Sequence, residues 1–304
     1  MNIIETAGLG KNYGRTWALR DCTFAMPEGH LAALVGPNGA GKTTLLHLLV
    51  GLTAAAAGSA TVLGGLPAGS RAALDGIAFV AQDAPVYTNL TAANMIRLAR
   101  NLNRSFDPPY ARARLGELDI PLDRKAAKLS SGQRAQLALT LALARRPRLL
   151  ILDEPLAALD PLARHDFMGT VLAAVGEDGV SVLMSSHVLA ELQRVADFLI
   201  LLTKGRVRVA ETVEDLVSTH RVLTGPAGSA DQITRKLDVI QDQRGEAQAH
   251  LLVKAQGPQD PVPPGWEAHP AGLEELVLAY LRSAGETGPA PLLGKPTASA
   301  GAAS

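Results

Sequence analysis

Short, wholly apolar runs alternate along this chain with longer stretches in which apolar residues return every three or four positions. Leu31-Ala-Ala-Leu-Val35 is apolar throughout and stops at Gly36. That is the pattern of a strand buried on both faces. Residues 77–81, 149–152, 180–184 and 198–202 read the same way. Helical patterns lie at 42–50, 91–102, 133–145, 162–175 and 188–194. Strands alternating with helices predict an α/β domain with a largely parallel sheet. Asp160-Pro161 is a good helix start, with Asp as N-cap and Pro at the first helical position.

The pattern changes near residue 220. From Arg221 the apolar runs are short, and the Pro-rich segment 257–265 excludes regular helix or central strand. Leu273, Leu276, Val277, Tyr280 and Leu281 follow helical spacing and predict one amphipathic helix. After Ala284 the chain is rich in Gly, Ala, Pro and Ser, which predicts disorder. Three units are therefore expected: a main domain over 1–219, a small extension over 220–283 and a tail over 284–304.

Composition narrows the function. The 304 residues carry 29 Lys+Arg and 29 Asp+Glu, a net charge of zero, which argues against a dedicated nucleic-acid binder. With one cysteine, Cys22, no intramolecular disulfide is available, and a reducing compartment is expected. No apolar run approaches the roughly 18 residues needed to span a bilayer, and the N-terminus lacks the basic and apolar regions of a signal peptide. The chain is expected to be soluble by itself, with any membrane role coming through a partner.

Gly36-Pro37-Asn38-Gly39-Ala40-Gly41-Lys42-Thr43-Thr44 fits G-x-x-x-x-G-K-[ST] and sits between an apolar strand and a helical pattern. The glycines allow a tight turn that brings backbone N–H groups against phosphate oxygens. The helix starting near Lys42 points its positive end at the same place. Lys42 is the candidate for the β- and γ-phosphates, and the Thr43 hydroxyl for Mg²⁺. The bland alternative is an ordinary glycine turn. A second strand, 149–152, runs into Asp153-Glu154-Pro155. At a strand's carboxyl end beside a phosphate loop, Asp153 would hold Mg²⁺ through water, and Glu154 would orient or deprotonate an attacking water. Alone, the two acids would be an ordinary solvated strand end.

Four more elements follow in order: Gln82 after the strand at 77–81, Leu129-Ser130-Ser131-Gly132-Gln133 before a helical run, Ala158-Leu159-Asp160 after the acids, and Ser186-His187 after the strand at 180–184. Together with the phosphate loop and acids they resemble the ATP-binding cassette (ABC) ATPases over roughly residues 3–219. The resemblance implies a RecA-like phosphate-loop NTPase core with an antiparallel β subdomain and an α-helical signature subdomain, here followed by a small α+β extension.

It also implies roles. Gln82 resembles the glutamine that ligates Mg²⁺, senses the γ-phosphate and couples to the membrane partner. Leu129 to Gln133 resembles the signature LSGGQ, with Ser131 where the family pattern has Gly; Ser130, Ser131, Gly132 and Gln133 would serve the ATP of the opposite protomer. His187 resembles the switch histidine at the γ-phosphate. Asp160 resembles the aspartate that links the two sites of a dimer. Tyr13, or less plausibly Trp17, resembles the aromatic that stacks on adenine. Pro85, Val86 and Tyr87 either line a groove for a membrane subunit or pack the helical subdomain.

The implied cofactors are ATP and Mg²⁺. The implied partners are a second cassette protomer and a separate multi-span permease, with no nucleic acid. The implied place is cytoplasmic, on the inner face of the membrane. The short extension is similar to those on exporter subunits, so export is the expected direction. A soluble cassette ATPase with a non-transport role is the alternative.

Overall fold

The structure is a computed structural model that describes residues 1–82, 86–186, 195–255 and 261–283. Two long strands, β1 (Asn2–Tyr13) and β2 (Thr16–Pro27), form an antiparallel hairpin. β4 (Ala57–Val62) and the short β5 (Leu66–Pro67) extend it into a four-stranded sheet of order β2-β1-β4-β5. This is the antiparallel subdomain that the resemblance implies.

The central sheet holds β3 (Leu31–Val35), β6 (Ile77–Val80), β7 (Leu149–Leu152), β8 (Ser181–Ser186), β9 (Phe198–Thr203) and β10 (Arg206–Thr212), in the order β10-β9-β3-β8-β7-β6. The first five pair in parallel, and β10 closes one edge antiparallel to β9. Every residue of β3, β7, β8 and β9 is buried. Burial on both faces removes any need for polar alternation, which is why these strands read as continuous apolar runs.

The helices are α1 (Lys42–Leu49), α2 (Arg71–Asp75), α3 (Ala92–Leu102), α4 (Pro108–Glu117), α5 (Ser131–Leu143), α6 (Pro161–Gly176), α7 (Val213–Ser218), α8 (Ala230–Thr234) and α9 (Leu273–Ser283). One face of the central sheet, with Leu34, Ile151, Leu183 and Ile200, packs on Leu45, Leu46 and Leu49 of α1 and on Ile4 and Leu19 of the hairpin. The other face, with Val35, Leu152, Val182 and Leu199, packs on Leu139 of α5 and on Phe167 and Val171 of α6. Helices on one face and a sheet with one helix on the other make a layered core. α3 and α4 pack with Leu129 and Leu137 around a separate core of Met95, Ile96, Ala111 and Leu115, the helical subdomain.

The region beyond 220 is more regular than its short apolar runs predict. β11 (His220–Pro226), β12 (Asp238–Arg244), β13 (Gln248–Lys254) and β14 (Glu267–Pro270) form an antiparallel sheet of order β12-β13-β11-β14. Its own small core centres on Leu223, Leu251, Val253 and Trp266. The helix expected from Leu273 is α9. Its Leu276 and Val277 belong to the same buried cluster as Phe167 and Leu199, so the extension is seated on the helix side of the central sheet.

The five expected parallel strands and four of the five expected helices are present within about two residues at each end. The fifth, at 188–194, lies outside the described residues, as does the segment 284–304. None of the described helices is long and apolar enough to cross a membrane.

Candidate functional site

The parallel order does the assembling. β3, β7 and β8 run side by side in the same direction, with Leu152 opposite Met184 and Val35 opposite Ser186. Whatever follows them in sequence must emerge at one edge of the sheet. The loop Gly36–Thr44 and the pair Asp153-Glu154 therefore meet there.

Gly36 follows β3 so closely against β9 that an added Cβ would lie 2.2 Å from the Leu202 carbonyl oxygen. Gly41 has φ of 106° and meets the Ala18 carbonyl oxygen at 2.7 Å in the same test. Neither position admits a side chain. Gly41 is also the N-cap of α1, and no side chain caps that helix. A helix start without a side-chain cap presents its first-turn N–H groups to an external acceptor, an arrangement suited to phosphate. Pro37, Asn38, Gly39 and Thr43 are exposed, Thr44 is partly so, and Ala40 is buried.

Lys42 is only 5% exposed. Its Nζ donates to the Gly36 carbonyl at 2.8 Å and to the Pro37 carbonyl at 3.4 Å, and it pairs with Glu154 Oε1 at 3.3 Å. Asp153 is 1% exposed. Its Oδ1 accepts from Ser185 Oγ at 2.7 Å. Glu154 sits in the left-handed region with φ of 45°, uncommon for a residue with a side chain, and its N–H donates to Ser185 Oγ at 2.8 Å. Ser185 was not anticipated from the sequence. The signal was a serine placed directly after the apolar Val182–Met184 in a strand that is buried throughout.

The metal donors expected here are the Thr43 hydroxyl, the Asp153 carboxylate and the Gln82 amide. All three offer hard oxygen, the chemistry Mg²⁺ takes. Among the described residues there is no cluster of three or more His, Cys, Asp or Glu that would hold a metal alone. A Mg²⁺ shared between one or two protein oxygens and substrate phosphates fits that sparse set. Gln82 is exposed in the turn after β6.

The signature segment starts α5 two residues earlier than its apolar pattern predicts. Ser130 is the N-cap, and its Oγ accepts from the Gln133 N–H at 3.1 Å. Gln133 Oε1 accepts in return from the Ser130 N–H at 3.2 Å. This reciprocal pair is a capping box. Ser131 keeps an ordinary negative φ and is exposed, so the position tolerates a side chain where the family pattern has Gly. Gly132 has less room: an added Cβ would lie 2.9 Å from Ala163 Cβ on α6. Asp160 caps α6 by accepting from the Ala163 N–H at 3.0 Å, with Pro161 following.

Tyr13 and Trp17 flank the turn of the β1–β2 hairpin, 56% and 45% exposed. Lys11 Nζ lies 5.4 Å from the centre of the Tyr13 ring, and Trp17 covers Gly10. Val86 packs against the helical subdomain, whereas Tyr87 is exposed. His187 and Pro85 lie outside the described residues.

A phosphate loop, an acidic pair at the same end of the sheet two strands away and a capped signature helix on a RecA-like core define a nucleotide-hydrolysing cassette. The ABC transporter family model matches residues 19–157. The lantibiotic transport ATP-binding protein SrtF of Streptococcus pyogenes is 30% identical, over 67% of this chain and 89% of that protein. The Fe(3+) ions import ATP-binding protein FbpC of Pseudomonas fluorescens is 34% identical, over 68% of this chain and 60% of its own length. The Nod factor export ATP-binding protein I of Mesorhizobium japonicum is 32% identical, over 71% and 65%.

The solved ATP-binding subunit of an ABC transporter superposes with a TM-score of 0.62 at 28% identity, over 70% of this chain and 91% of that one. The dimeric cassette MJ0796 bound to ADP and Pi shares the fold, with a TM-score of 0.61 at 23% identity, over 69% and 98%. The chain belongs to the ABC transporter family. It is an ATP-binding-cassette ATPase of the transporter class. Its relatives include both importers and exporters, so kinship leaves the direction of transport open.

Proposed function

We propose that this chain is the ATP-hydrolysing subunit of a transporter whose membrane-spanning permease is a separate polypeptide. It would work as a pair of cassettes at the cytoplasmic face of the membrane. The observation that carries the reading is the meeting of Lys42 and Glu154 at 3.3 Å across the end of the parallel sheet, beside a helix start without a side-chain cap.

In this account the loop N–H groups and the start of α1 hold the phosphates of ATP, and Lys42 exchanges its present partners for the β- and γ-phosphate oxygens. Mg²⁺, when bound through Thr43, Asp153 and Gln82, neutralises phosphate charge. Glu154, at the same strand end, would accept a proton from the attacking water. Ser130, Ser131, Gly132 and Gln133 would reach the γ-phosphate held by the other protomer, with Asp160 at the contact between them. Tyr13 would stack on adenine. His187 would contact the γ-phosphate, as the switch histidine that it resembles.

Export is the proposed direction. Its support is the compact unit beyond 220, one four-stranded sheet with α8 and α9, where many sugar importers carry a larger regulatory barrel. The test is purification of the tagged chain from gently solubilised native membranes, with mass spectrometry of what co-elutes. A stoichiometric multi-span protein is expected, and its own sequence then reads the direction. An active ATPase recovered with no membrane partner would overturn the reading.

A further inference from the structure

β8 is apolar from Val182 to Met184 and then carries Ser185, whose side chain is fully buried at the sheet end. A hydroxyl there is costly unless both its donor and its acceptor are used. Both are used, and on consecutive residues of another strand end. The Oγ donates to Asp153 Oδ1 at 2.7 Å and accepts from the Glu154 N–H at 2.8 Å.

Each bond has a consequence. The first commits one oxygen of the Asp153 carboxylate to the protein, which fixes the plane of the group and leaves the other oxygen to serve a metal-bound water. The second holds the Glu154 peptide in its left-handed conformation, φ 45°, against the ordinary preference of a side-chain-bearing residue. The direction in which the Glu154 carboxylate leaves the backbone, toward Lys42 at 3.3 Å, depends on that conformation. The same strand ends at Ser186.

We infer that Ser185 is a positioning residue for the ATPase reaction: one buried hydroxyl aligns the Asp153 carboxylate and the Glu154 peptide with each other. The inference rests on Asp153 and Glu154 being the acids of the reaction. A purely structural hydroxyl is the competing role, and β8 supplies its control. Ser181, at the other end of the strand, is equally buried, and its Oγ accepts from the Gly29 N–H at 2.8 Å, far along the sheet from the acids.

The experiment compares full-length wild type, Ser185→Ala, Ser185→Thr, Ser185→Cys, Ser181→Ala and Glu154→Gln. The readouts are kcat, KM for ATP, the Mg²⁺ concentration at half activity, thermal stability, and ATP binding with Mg²⁺ and in EDTA. Removing a partner that orients a metal ligand typically costs about 10–100-fold in metal affinity or activity. Ser185→Ala is expected to lose at least about tenfold in kcat and to need roughly tenfold more Mg²⁺. Its ATP binding in EDTA stays at the wild-type level. Ser185→Thr, which keeps the hydroxyl, recovers most of the loss. Ser181→Ala loses stability and keeps kcat.

If the alanine variant does not fold, Ser185→Cys, of similar volume and weak hydrogen bonding, carries the same expectation. Wild-type kcat and Mg²⁺ demand in Ser185→Ala would overturn the inference, as would an equal kcat loss in Ser181→Ala. Glu154→Gln separates the two levels. Full activity in that variant removes the parent assignment, whereas its loss beside a normal Ser185→Ala removes only the role of Ser185.

Discussion

Two helix starts in this protein, both assigned to phosphate in the proposed function, are built in opposite ways. α1 begins behind Gly41 with no side-chain cap. α5 begins behind Ser130 with a full capping box, the Gln133 N–H already bonded to Ser130 Oγ. The first is open, and its Gly36 and Gly41 sit where neighbouring backbone leaves no room for a side chain. The second is closed on itself by the Ser130–Gln133 pair. The contrast is what the proposed divided site asks for: one start would bind phosphate within its own chain, while the other would meet the nucleotide of a second protomer.

Breaking the open end has the largest expected effect. Lys42→Ala removes the cation that now bridges the loop carbonyls and Glu154. Loss of one donor to developing charge costs about 10²–10³-fold in rate, so ATPase activity should fall at least that far, measured as phosphate release at saturating ATP. Glu154→Gln sharpens the same point. Loss of a general base costs about 10²–10⁴-fold, while equilibrium ATP binding in that variant stays near wild type. An equal ATPase rate would remove Glu154 from its role.

Tyr13→Ala should raise KM for ATP by about 5- to 150-fold, since stacking a base on an aromatic side chain is worth about 1–3 kcal/mol, and should leave kcat unchanged. Breaking the closed end costs stability before chemistry. Ser130→Ala removes the cap of α5, about 1 kcal/mol, seen as a Tm lowered by about 2–4 °C in calorimetry.

The smallest effect lies outside both ends. His220 is buried where β11 begins, its Nδ1–H donating to the Leu216 carbonyl at 2.7 Å and its Nε2 accepting from the Tyr280 hydroxyl at 2.8 Å. Burial holds its pKa below the ordinary 6.5, although the Leu216 carbonyl pulls the other way. The folded protein thus binds this proton less readily than the unfolded chain. That stability is fully present above about pH 6.5 and declines as pH falls below it. Tm should fall faster between pH 6.5 and 5 in the wild type than in His220→Asn.

The legibility of the sequence followed burial. β3, β7, β8 and β9 are buried on both faces and stood out as apolar runs. β1 and β2 are longer, but they expose residues along their length and shift register, so neither a run nor a clean alternation marked them. Their existence came through the family resemblance. The sheet beyond 220 was hidden for the same reason, its strands β11 and β12 being only partly buried along their length. In the site, the loop and the acids were legible because each is a local motif. The Ser185 bonds and the Lys42–Glu154 pair join residues far apart in the chain, and no spacing announces them. The start of α5 was misplaced by two residues because its apolar period begins after the capping box.

The divided site is the central claim, and the mass of the nucleotide-bound protein tests it most directly. Light scattering after size exclusion should give the Glu154→Gln variant near 31.7 kDa without nucleotide and twice that mass in saturating MgATP. A variant that binds ATP and keeps the mass of one chain would contradict the account.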